Sequence, residues 1–325
     1  MQAVVWAGET KVEVRDLPVP EPPPGWAVID VAYAGLCGTD LHICDDQHPR
    51  AKPGLVIGHE LVGRLHASLG ELPSGTAVFI NPLLSCGTCP SCERGRYQTC
   101  DHLRLIGIDI DGGAAEAVAV PEDQVLALPA TLDLRRAALV EPMSVAVRAV
   151  RRSGMRGGDR VHVLGAGPMG LMVAICARLE GASEVTISEV SPGRARAAQA
   201  MGLVLVDHAS PQPIADVLFD CTGHPAVSPT VTRWVQPGGM VTVVAAYPGV
   251  VPVNLQDVMF REISIVGTRV YSLEDITAAI GVVEREGAAL DPVVTAVVPL
   301  SEGPWAIGAL HAGSELKVLL QGPAT

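Results

Sequence analysis

A glycine-rich turn between a predicted strand and a predicted helix constrains the fold of this chain more than any other feature. Residues 159–164 form an apolar strand, the sequence GAGPMG follows at 165–170, and an apolar helix continues to about residue 180. A G-x-G-x-x-G turn in this setting binds the pyrophosphate of a dinucleotide, because its glycines allow close backbone approach and the helix N-terminus attracts phosphate. The residues predicted to contact the cofactor here are Gly165, Gly167, Pro168, Met169 and Gly170.

An acidic residue follows the next predicted strand, 185–188. Glu189 lies roughly 20 residues beyond the first glycine, where a carboxylate accepts hydrogen bonds from the adenosine ribose and repels a 2′-phosphate. This favours NAD(H) over NADP(H). The alternative is an ordinary surface glutamate. Arg194 and Arg196 slightly weaken the preference for NAD(H), because a guanidinium group can bind a phosphate.

Strands and helices continue to alternate after Glu189. Predicted helices at 194–201 and 227–235 alternate with apolar strands, a pattern typical of a parallel, doubly wound sheet. Ligands bind at the carboxyl ends of such strands. Further cofactor candidates are therefore Arg194, Thr222, Ala245 and Thr268.

Four of the eight cysteines form a compact cluster. Cys86, Cys89, Cys92 and Cys100 have the spacing C-x2-C-x2-C-x7-C, and four thiolates at such spacing can close tetrahedrally around a structural Zn²⁺. Four reduced surface thiols are one alternative. An iron–sulfur cluster is another, although the x7 gap and the missing proline after the fourth cysteine depart from the bacterial ferredoxin pattern. The cluster is not typical of a secreted disulfide framework.

A second set of candidate metal ligands is spread along the first half of the chain. Cys37, His59, Glu60 and Glu141 supply the thiolate, imidazole and carboxylate groups of a catalytic zinc site. Taken singly, each has a simpler interpretation. A lone buried cysteine is usually inert core, and Glu141 would suit the exposed first turn of a helix.

Composition and charge exclude several classes of function. The net charge is −12 and no run rich in lysine or arginine is present, which disfavours nucleic-acid and anionic-membrane binding. The first residues lack a signal-peptide pattern, and the most apolar run, 161–177, is broken by histidine, proline and glycine. We therefore expect a cytoplasmic protein with a small-molecule partner, no nucleic acid and no membrane.

Together these motifs resemble the zinc-containing medium-chain dehydrogenase/reductase family, in particular its sorbitol, threonine and butanediol dehydrogenases, along essentially the whole chain. The resemblance implies an α/β protein with a GroES-like, β-rich catalytic domain over residues 1–146 and 270–325, including a zinc lobe at 81–101. It also implies a Rossmann NAD-binding domain over residues 147–269, with the active site in the cleft. Two Zn²⁺ ions per chain, NAD(H) and a homodimer or homotetramer are expected by analogy.

The resemblance also assigns roles to the candidate residues. Cys37 and His59 correspond to ligands of the catalytic zinc, Thr39 to the hydroxyl that binds the substrate oxygen, and His42 to the imidazole that passes the proton to solvent. Glu60 is a ligand in some relatives and lies behind the ligands in others. The sequence leaves the last ligand undecided between Glu60 and Glu141.

The function implied is zinc-dependent, NAD(H)-linked interconversion of a secondary alcohol and its ketone. A polar pocket for a polyol, sugar, amino sugar or diol would be formed by Asp45, Asp46, His48, Arg269 and Tyr271, although the first three are as readily explained as solvated loop residues. Two alternatives remain at this point. One is a non-catalytic, zinc-stabilised NAD-binding sensor or structural protein, and the other is a reductase of another medium-chain subclass.

Overall fold

The computed structural model describes residues 1–324, which form two compact units. The first unit contains Met1–Glu141 and the chain from Ala279 onwards, and the second contains Pro142–Ala278. The domain boundaries at 146/147 and 269/270 stay predictions. Within the described residues, no helix is both long enough and apolar enough to cross a membrane.

In chain order the strands are β1 Gln2–Gly8, β2 Lys11–Asp16, β3 Trp26–Leu36, β4 Leu55–Val56, β5 Glu60–Leu65, β6 Ala77–Ile80, β7 Leu83–Leu84, β8 Arg104–Leu105, β9 Ala117–Pro121, β10 Val125–Ala127, β11 Arg160–Leu164, β12 Glu184–Ser188, β13 Val204–Leu205, β14 Ala215–Asp220, β15 Val235–Val243, β16 Ser264–Gly267, β17 Ala296–Pro299 and β18 Val318–Gln321. The α-helices are α1 Gly38–Cys44, α2 Pro90–Glu93, α3 Leu134–Ala137, α4 Val140–Ser153, α5 Pro168–Leu179, α6 Pro192–Ala200, α7 Leu255–Phe260, α8 Leu273–Leu290 and α9 Gly303–His311.

The long strand β3 organises the first unit. Its sheet has the order β10-β6-β5-β3-β18-β17, with β9 also paired to β3, and a second sheet has the order β2-β1-β4. Antiparallel pairing places Gly35 opposite Glu60 on β5 and Leu36 opposite Val318 on β18. The end of β3, the start of β5 and the start of β18 therefore meet at one point. Gly35 is required there, because a Cβ atom would lie 2.2 Å from the Oε2 atom of Glu60.

The second unit is built on a six-stranded sheet with the order β13-β12-β11-β14-β15-β16. Every neighbouring pair in it is parallel, so the predicted parallel sheet is confirmed. Helix α5 leaves the end of β11 and packs against β11 and β12. The carboxyl ends of the central strands consequently lie side by side, with Leu164 of β11 between Ser188 of β12 and Asp220 of β14.

The helix predicted at 227–235 is wrong. Ser228–Arg233 forms a 3₁₀ helix, and β15 begins already at Val235. This segment contains Pro229 and the β-branched run 230–232, which favour a short, tight turn over an α-helix. Trp234 is then buried, and its ring stacks on His162 of β11 with ring centroids 4.4 Å apart.

Candidate active site

Cys37 is held at the N-terminus of α1 by a capping arrangement. Its sulfur accepts a hydrogen bond from the backbone N–H of Thr39 at 3.2 Å, while its own N–H donates to the Asp40 carboxylate at 2.9 Å. Asp40 is fully buried and also accepts from the N–H of Gly58 at 3.1 Å. Asp40 thus ties α1 to the turn that precedes His59.

His59 points one ring nitrogen at Cys37 and the other at Asp40. The distance from His59 Nε2 to Cys37 Sγ is 3.2 Å, and that from Nδ1 to Asp40 Oδ1 is 3.7 Å. Burial lowers the pKa of His59, but the charges of Cys37 and Asp40 and the contact with the Cys37 sulfur outweigh it and raise the pKa well above 6.5. A carboxylate behind a histidine ligand fixes which nitrogen faces the metal. The contacts of Asp40 with Cys37 and His59 were not predicted from the sequence, although an acid three residues after the cap was a usable signal.

The two glutamates lie beside His59. Ligand atoms of His59, Glu60 and Glu141 are all within 4.8 Å of one another, and all three residues are buried. Glu141 lies in the first turn of α4, as predicted. The alternative that its side chain faces solvent there is wrong, because the residue is only 6% exposed.

Lys317 is the cationic partner of Glu60. Its Nζ atom lies 2.5 Å from each carboxylate oxygen of Glu60 and donates to the carbonyl of Leu36 at 3.1 Å. The side chain is buried; burial lowers the pKa of Lys317, but the charges of Glu60, Cys37 and Glu141 outweigh this and raise it. The sequence carried no signal for this contact, because residues 60 and 317 are brought together only by strand pairing.

Thr39 and His42 lie on the same short helix as the thiol. Thr39 is half-buried in the first turn, whereas His42 is exposed one turn later. The Nδ1 atom of His42 is 3.2 Å from Oε1 of Gln47, whose backbone N–H donates to the carbonyl of His42 at 2.9 Å.

The polar loop after α1 is partly tied to its surroundings. Asp45 pairs with His311 at 3.3 Å, while Arg50 pairs with Asp109 at 3.3 Å. The half-buried His48 accepts backbone hydrogen bonds at Nδ1 from residues 50 and 51, both at 3.4 Å. Burial and the charge of Arg50 lower the pKa of His48, and charge interactions with His42 and His59 lower it further.

The four cysteines of the lobe converge on one point. Their Sγ–Sγ distances are 3.5 Å for Cys89–Cys92, 3.5 Å for Cys86–Cys100, 3.9 Å for Cys89–Cys100 and 4.0 Å for Cys86–Cys92. A Zn–S bond of about 2.3 Å gives a tetrahedron with edges of about 3.8 Å, so the four sulfurs fit a zinc ion. A hydrogen bond from the N–H of Thr88 is the largest effect lowering the pKa of Cys86 to about 6, whereas burial raises the pKa of Cys92 to about 12.

The glycine turn of the second unit has the geometry that a dinucleotide requires. Gly165 has φ +93°, and a Cβ atom on Gly170 would lie 1.9 Å from the carbonyl oxygen of Gly165. Pro168 and Met169 begin α5 directly behind the turn. The hydroxyl of Thr268 is buried without a hydrogen-bond partner among the described residues.

Glu189 and Thr222 flank this turn. Glu189 accepts three backbone hydrogen bonds of 2.7 Å, one from Ala166 within the glycine turn and two from residues 190 and 191. The methyl carbon of Thr222 lies 3.1 Å from where a Cβ atom of Gly165 would be. The Arg194 guanidinium lies 4.0 Å from the corresponding point on Gly167. Ala245 sits at the end of β15, where its N–H donates to the carbonyl of Asp220 at 3.1 Å.

Comparison with known proteins settles the family. Residues 23–130 match the alcohol dehydrogenase GroES-like domain, and residues 168–285 match the zinc-binding dehydrogenase domain. The chain belongs to the zinc-type medium-chain dehydrogenases. The predicted family, the GroES-like plus Rossmann fold class and the assignment as a dehydrogenase are therefore confirmed.

Among its curated relatives, the 2-dehydro-3-deoxy-L-galactonate 5-dehydrogenase of Pseudoalteromonas atlantica is 33% identical over 93% of each chain. The sorbitol dehydrogenase of Bacillus subtilis is 28% identical over 82% of this chain and 81% of its own. Among solved structures, a zinc-binding dehydrogenase of Sinorhizobium meliloti bound to NADP is 30% identical, with a TM-score of 0.91 over 98% of each chain. The L-idonate 5-dehydrogenase of Escherichia coli is 26% identical, with a TM-score of 0.89 over 98% of this chain and 97% of its own.

Proposed function

We propose that this protein interconverts a secondary alcohol of a polyol or sugar acid with its ketone by hydride transfer, using Zn²⁺ and NAD(H). The observation that carries the proposal is the convergence of Cys37 Sγ and His59 Nε2 at 3.2 Å beside two buried glutamates. A zinc ion held there would act as a Lewis acid that lowers the pKa of a bound substrate hydroxyl, and the nicotinamide would supply the redox chemistry.

Cys37, His59 and Glu141 are our proposed ligands of the catalytic zinc. Glu60 is a ligand in some members of the family, but here its charge is paired with Lys317, whose Nζ donates to Oε1 and lies 2.5 Å from Oε2. Zinc analysis tests the choice: Glu141→Gln should lower the zinc content from two ions per chain to one, while Glu60→Gln should retain both. The reverse result would make Glu60 the ligand.

Thr39 and His42 form our proposed proton path. Thr39 lies in the helical turn that Cys37 caps, which suits a hydroxyl that hydrogen-bonds a zinc-bound substrate oxygen. His42 is exposed, and when Nδ1–H donates to Gln47, its Nε2 can accept a proton and release it to water.

NAD(H) is our proposed cofactor in preference to NADP(H). The carboxylate of Glu189 stands at the end of β12, against the glycine turn, where it would meet the ribose and repel a 2′-phosphate. Arg194, close to the same turn, is the residue that could favour a phosphate instead, and one similar structure holds NADP. A higher kcat/KM with NADP⁺ than with NAD⁺ would contradict this proposal.

The substrate class is proposed from the relatives, which act on galactonate derivatives, sorbitol and D-altritol. A screen of polyols, sugar acids, diols and amino alcohols with both cofactors tests it directly. Cys37→Ser should abolish oxidation while leaving NADH binding intact, because this cysteine lies in the other unit from the cofactor turn. Normal turnover by Cys37→Ser would overturn the proposed site.

We propose a homo-oligomer by analogy with the family. The exposed sheet edge of the second unit supports this proposal. β16 is an outer strand of the sheet, and nearby Leu255, Met259 and Phe260 of α7 are more than 60% exposed. A second copy of the same edge would cover both the strand and these apolar side chains. We propose the cytoplasm as the location, because four zinc-binding thiolates require a reducing compartment.

A further inference from the structure

A buried hydrogen-bond cluster joins the carboxyl ends of β14 and β15. Asp220, the last residue of β14, is fully buried. Its Oδ1 atom accepts hydrogen bonds from the N–H of Thr222 at 3.0 Å and from the hydroxyl of Thr222 at 2.6 Å. Its Oδ2 atom accepts a short hydrogen bond from the hydroxyl of Tyr247, which lies in the loop after β15.

The Asp220 carboxylate depends on these three donors. No lysine, arginine or histidine of residues 1–324 forms an ion pair with it, and a buried carboxylate is costly unless hydrogen bonds replace its hydration. Burial raises the pKa of Tyr247, and the hydrogen bond and charge of Asp220 raise it further. The phenol therefore remains a donor across the neutral range.

The cluster is in direct contact with the glycine turn. Asp220 is paired with Leu164, the residue before Gly165, and the N–H of Cys221 donates to the carbonyl of Leu164 at 3.0 Å. Thr222, whose two donors both go to Asp220, places its methyl group against Gly165. The hydrogen bonds that hold Asp220 in place therefore also hold Thr222 beside the glycine turn.

The loops after β14 and β15 fit together closely. Gly223 has φ +58°, and a Cβ atom on it would lie 2.3 Å from the carbonyl oxygen of Ala246, the neighbour of Tyr247. The Tyr247 hydroxyl thus joins two loops that already touch through their backbones. Loss of this hydrogen bond would leave the backbone contacts between the two loops but remove one of the three donors that hold the Asp220 carboxylate.

We propose that Tyr247 is a positioning residue for the dinucleotide: by holding Asp220, its hydroxyl keeps Thr222 against Gly165 in the geometry that binds the cofactor. This rests on the proposed function only in taking residues 165–170 as the dinucleotide site. The expected effect of Tyr247 is on affinity for the cofactor, and the zinc content of the variant is measured alongside it.

The test is NADH binding to the full-length, zinc-loaded protein, followed by the change in nicotinamide fluorescence. Tyr247→Phe should raise the Kd for NADH roughly tenfold, the change expected when about a tenth of the unliganded variant keeps Thr222 in the binding geometry. The zinc content should stay at two ions per chain. Tyr97→Phe is the matched control, because Tyr97 is an exposed tyrosine of the first unit. It should leave the Kd unchanged.

A double-mutant cycle separates positioning from a general loss of stability. If Tyr247 acts through Asp220, then Tyr247→Phe should have little further effect on the Kd in an Asp220→Asn background. If the changes in Kd caused by Tyr247→Phe and Asp220→Asn simply add, Tyr247 does not act through Asp220. Thr222→Val removes one donor to the same carboxylate without removing a methyl group, and it should weaken NADH binding as well. Because Thr222 is also a predicted cofactor contact, this variant tests the position of Thr222 beside the turn, and Asp220→Asn alone tests the carboxylate if Tyr247→Phe folds poorly.

The outcomes distinguish this inference from the proposed function. Wild-type protein that binds NADH, together with a Tyr247→Phe variant that binds it equally well, overturns the positioning role and leaves the dehydrogenase proposal intact. Wild-type protein that binds neither NADH nor NADPH overturns the proposed function and this inference with it.

Discussion

Lys317 is the residue that most changes the interpretation of the candidate zinc site. Two carboxylates, those of Glu60 and Glu141, lie close enough to His59 to bind the same metal ion, and Glu60 is next to His59 in the sequence. The ammonium group of Lys317 pairs with Glu60, donating to Oε1 and lying 2.5 Å from Oε2, so the charge of Glu60 is already compensated and Glu141 is our candidate ligand. A buried carboxylate and ammonium offset their desolvation costs only while both are present.

Removing Lys317 should therefore destabilise the protein more than removing the whole pair. We expect Lys317→Met to cost about 3 kcal/mol, because it leaves Glu60 buried with an uncompensated charge. The melting temperature of the zinc-loaded protein should fall by about 5 °C or more. The Lys317→Met/Glu60→Gln double variant should recover much of that loss. Equal melting temperatures for the single variant and the wild type would contradict this account.

At the level of elements, the candidate zinc site is assembled by the register of three strands. β3 ends beside Cys37, β5 begins at Glu60, and β18 begins just after Lys317. The pairs Gly35 with Glu60 and Leu36 with Val318 bring these ends together. A one-residue slip of β18 would turn its side chains to the opposite face of the sheet. The C-terminal strand therefore contributes to the site although it carries no recognisable motif.

The strands of the second unit enclose a histidine that should make its stability depend on pH. His162 of β11 is buried between Trp234 and the hydroxyls of Thr186 and Ser188, at 2.8 and 3.1 Å. Burial lowers its pKa from 6.5 to about 3. The unfolded chain therefore binds a proton below pH 6.5 that the folded protein does not take up until about pH 3.

The stabilisation from neutral His162 is fully present above pH 6.5 and is lost progressively as the pH falls towards 3. The expected loss is about 1.4 kcal/mol for each pH unit in that window. Melting curves of the wild type and His162→Asn at pH 7 and pH 5 test this. The variant should be less stable at pH 7 but should lose less on acidification. An equal shift in both proteins would show that other groups cause the acid sensitivity.

For the molecule as a whole, local patterns predicted the fold class and the two kinds of metal site, but not the contacts between distant segments. The glycine turn and the four-cysteine cluster are recognisable because each is a compact local motif, whereas Cys37 and His59 are 22 residues apart and were linked by the resemblance to the family. Lys317 and Tyr247 have no such signal, because their partners are supplied by strand pairing and by adjacent loops. The helix predicted at 227–235 failed for a different, local reason, since Pro229 and the β-branched residues 230–232 favour a short 3₁₀ turn.

The division into two units predicts that metal and dinucleotide binding can be removed separately. Every candidate zinc ligand belongs to the first unit, and every predicted cofactor residue lies within Pro142–Ala278. Stripping the metal with a chelator should abolish alcohol oxidation but leave the Kd for NADH within about twofold, with activity restored by added zinc. Gly170→Ala should do the reverse, because its Cβ atom would lie 1.9 Å from the carbonyl oxygen of Gly165. It should retain two zinc ions and lose NADH binding. Parallel loss of zinc and NADH in either experiment would mean that the two sites are not independent.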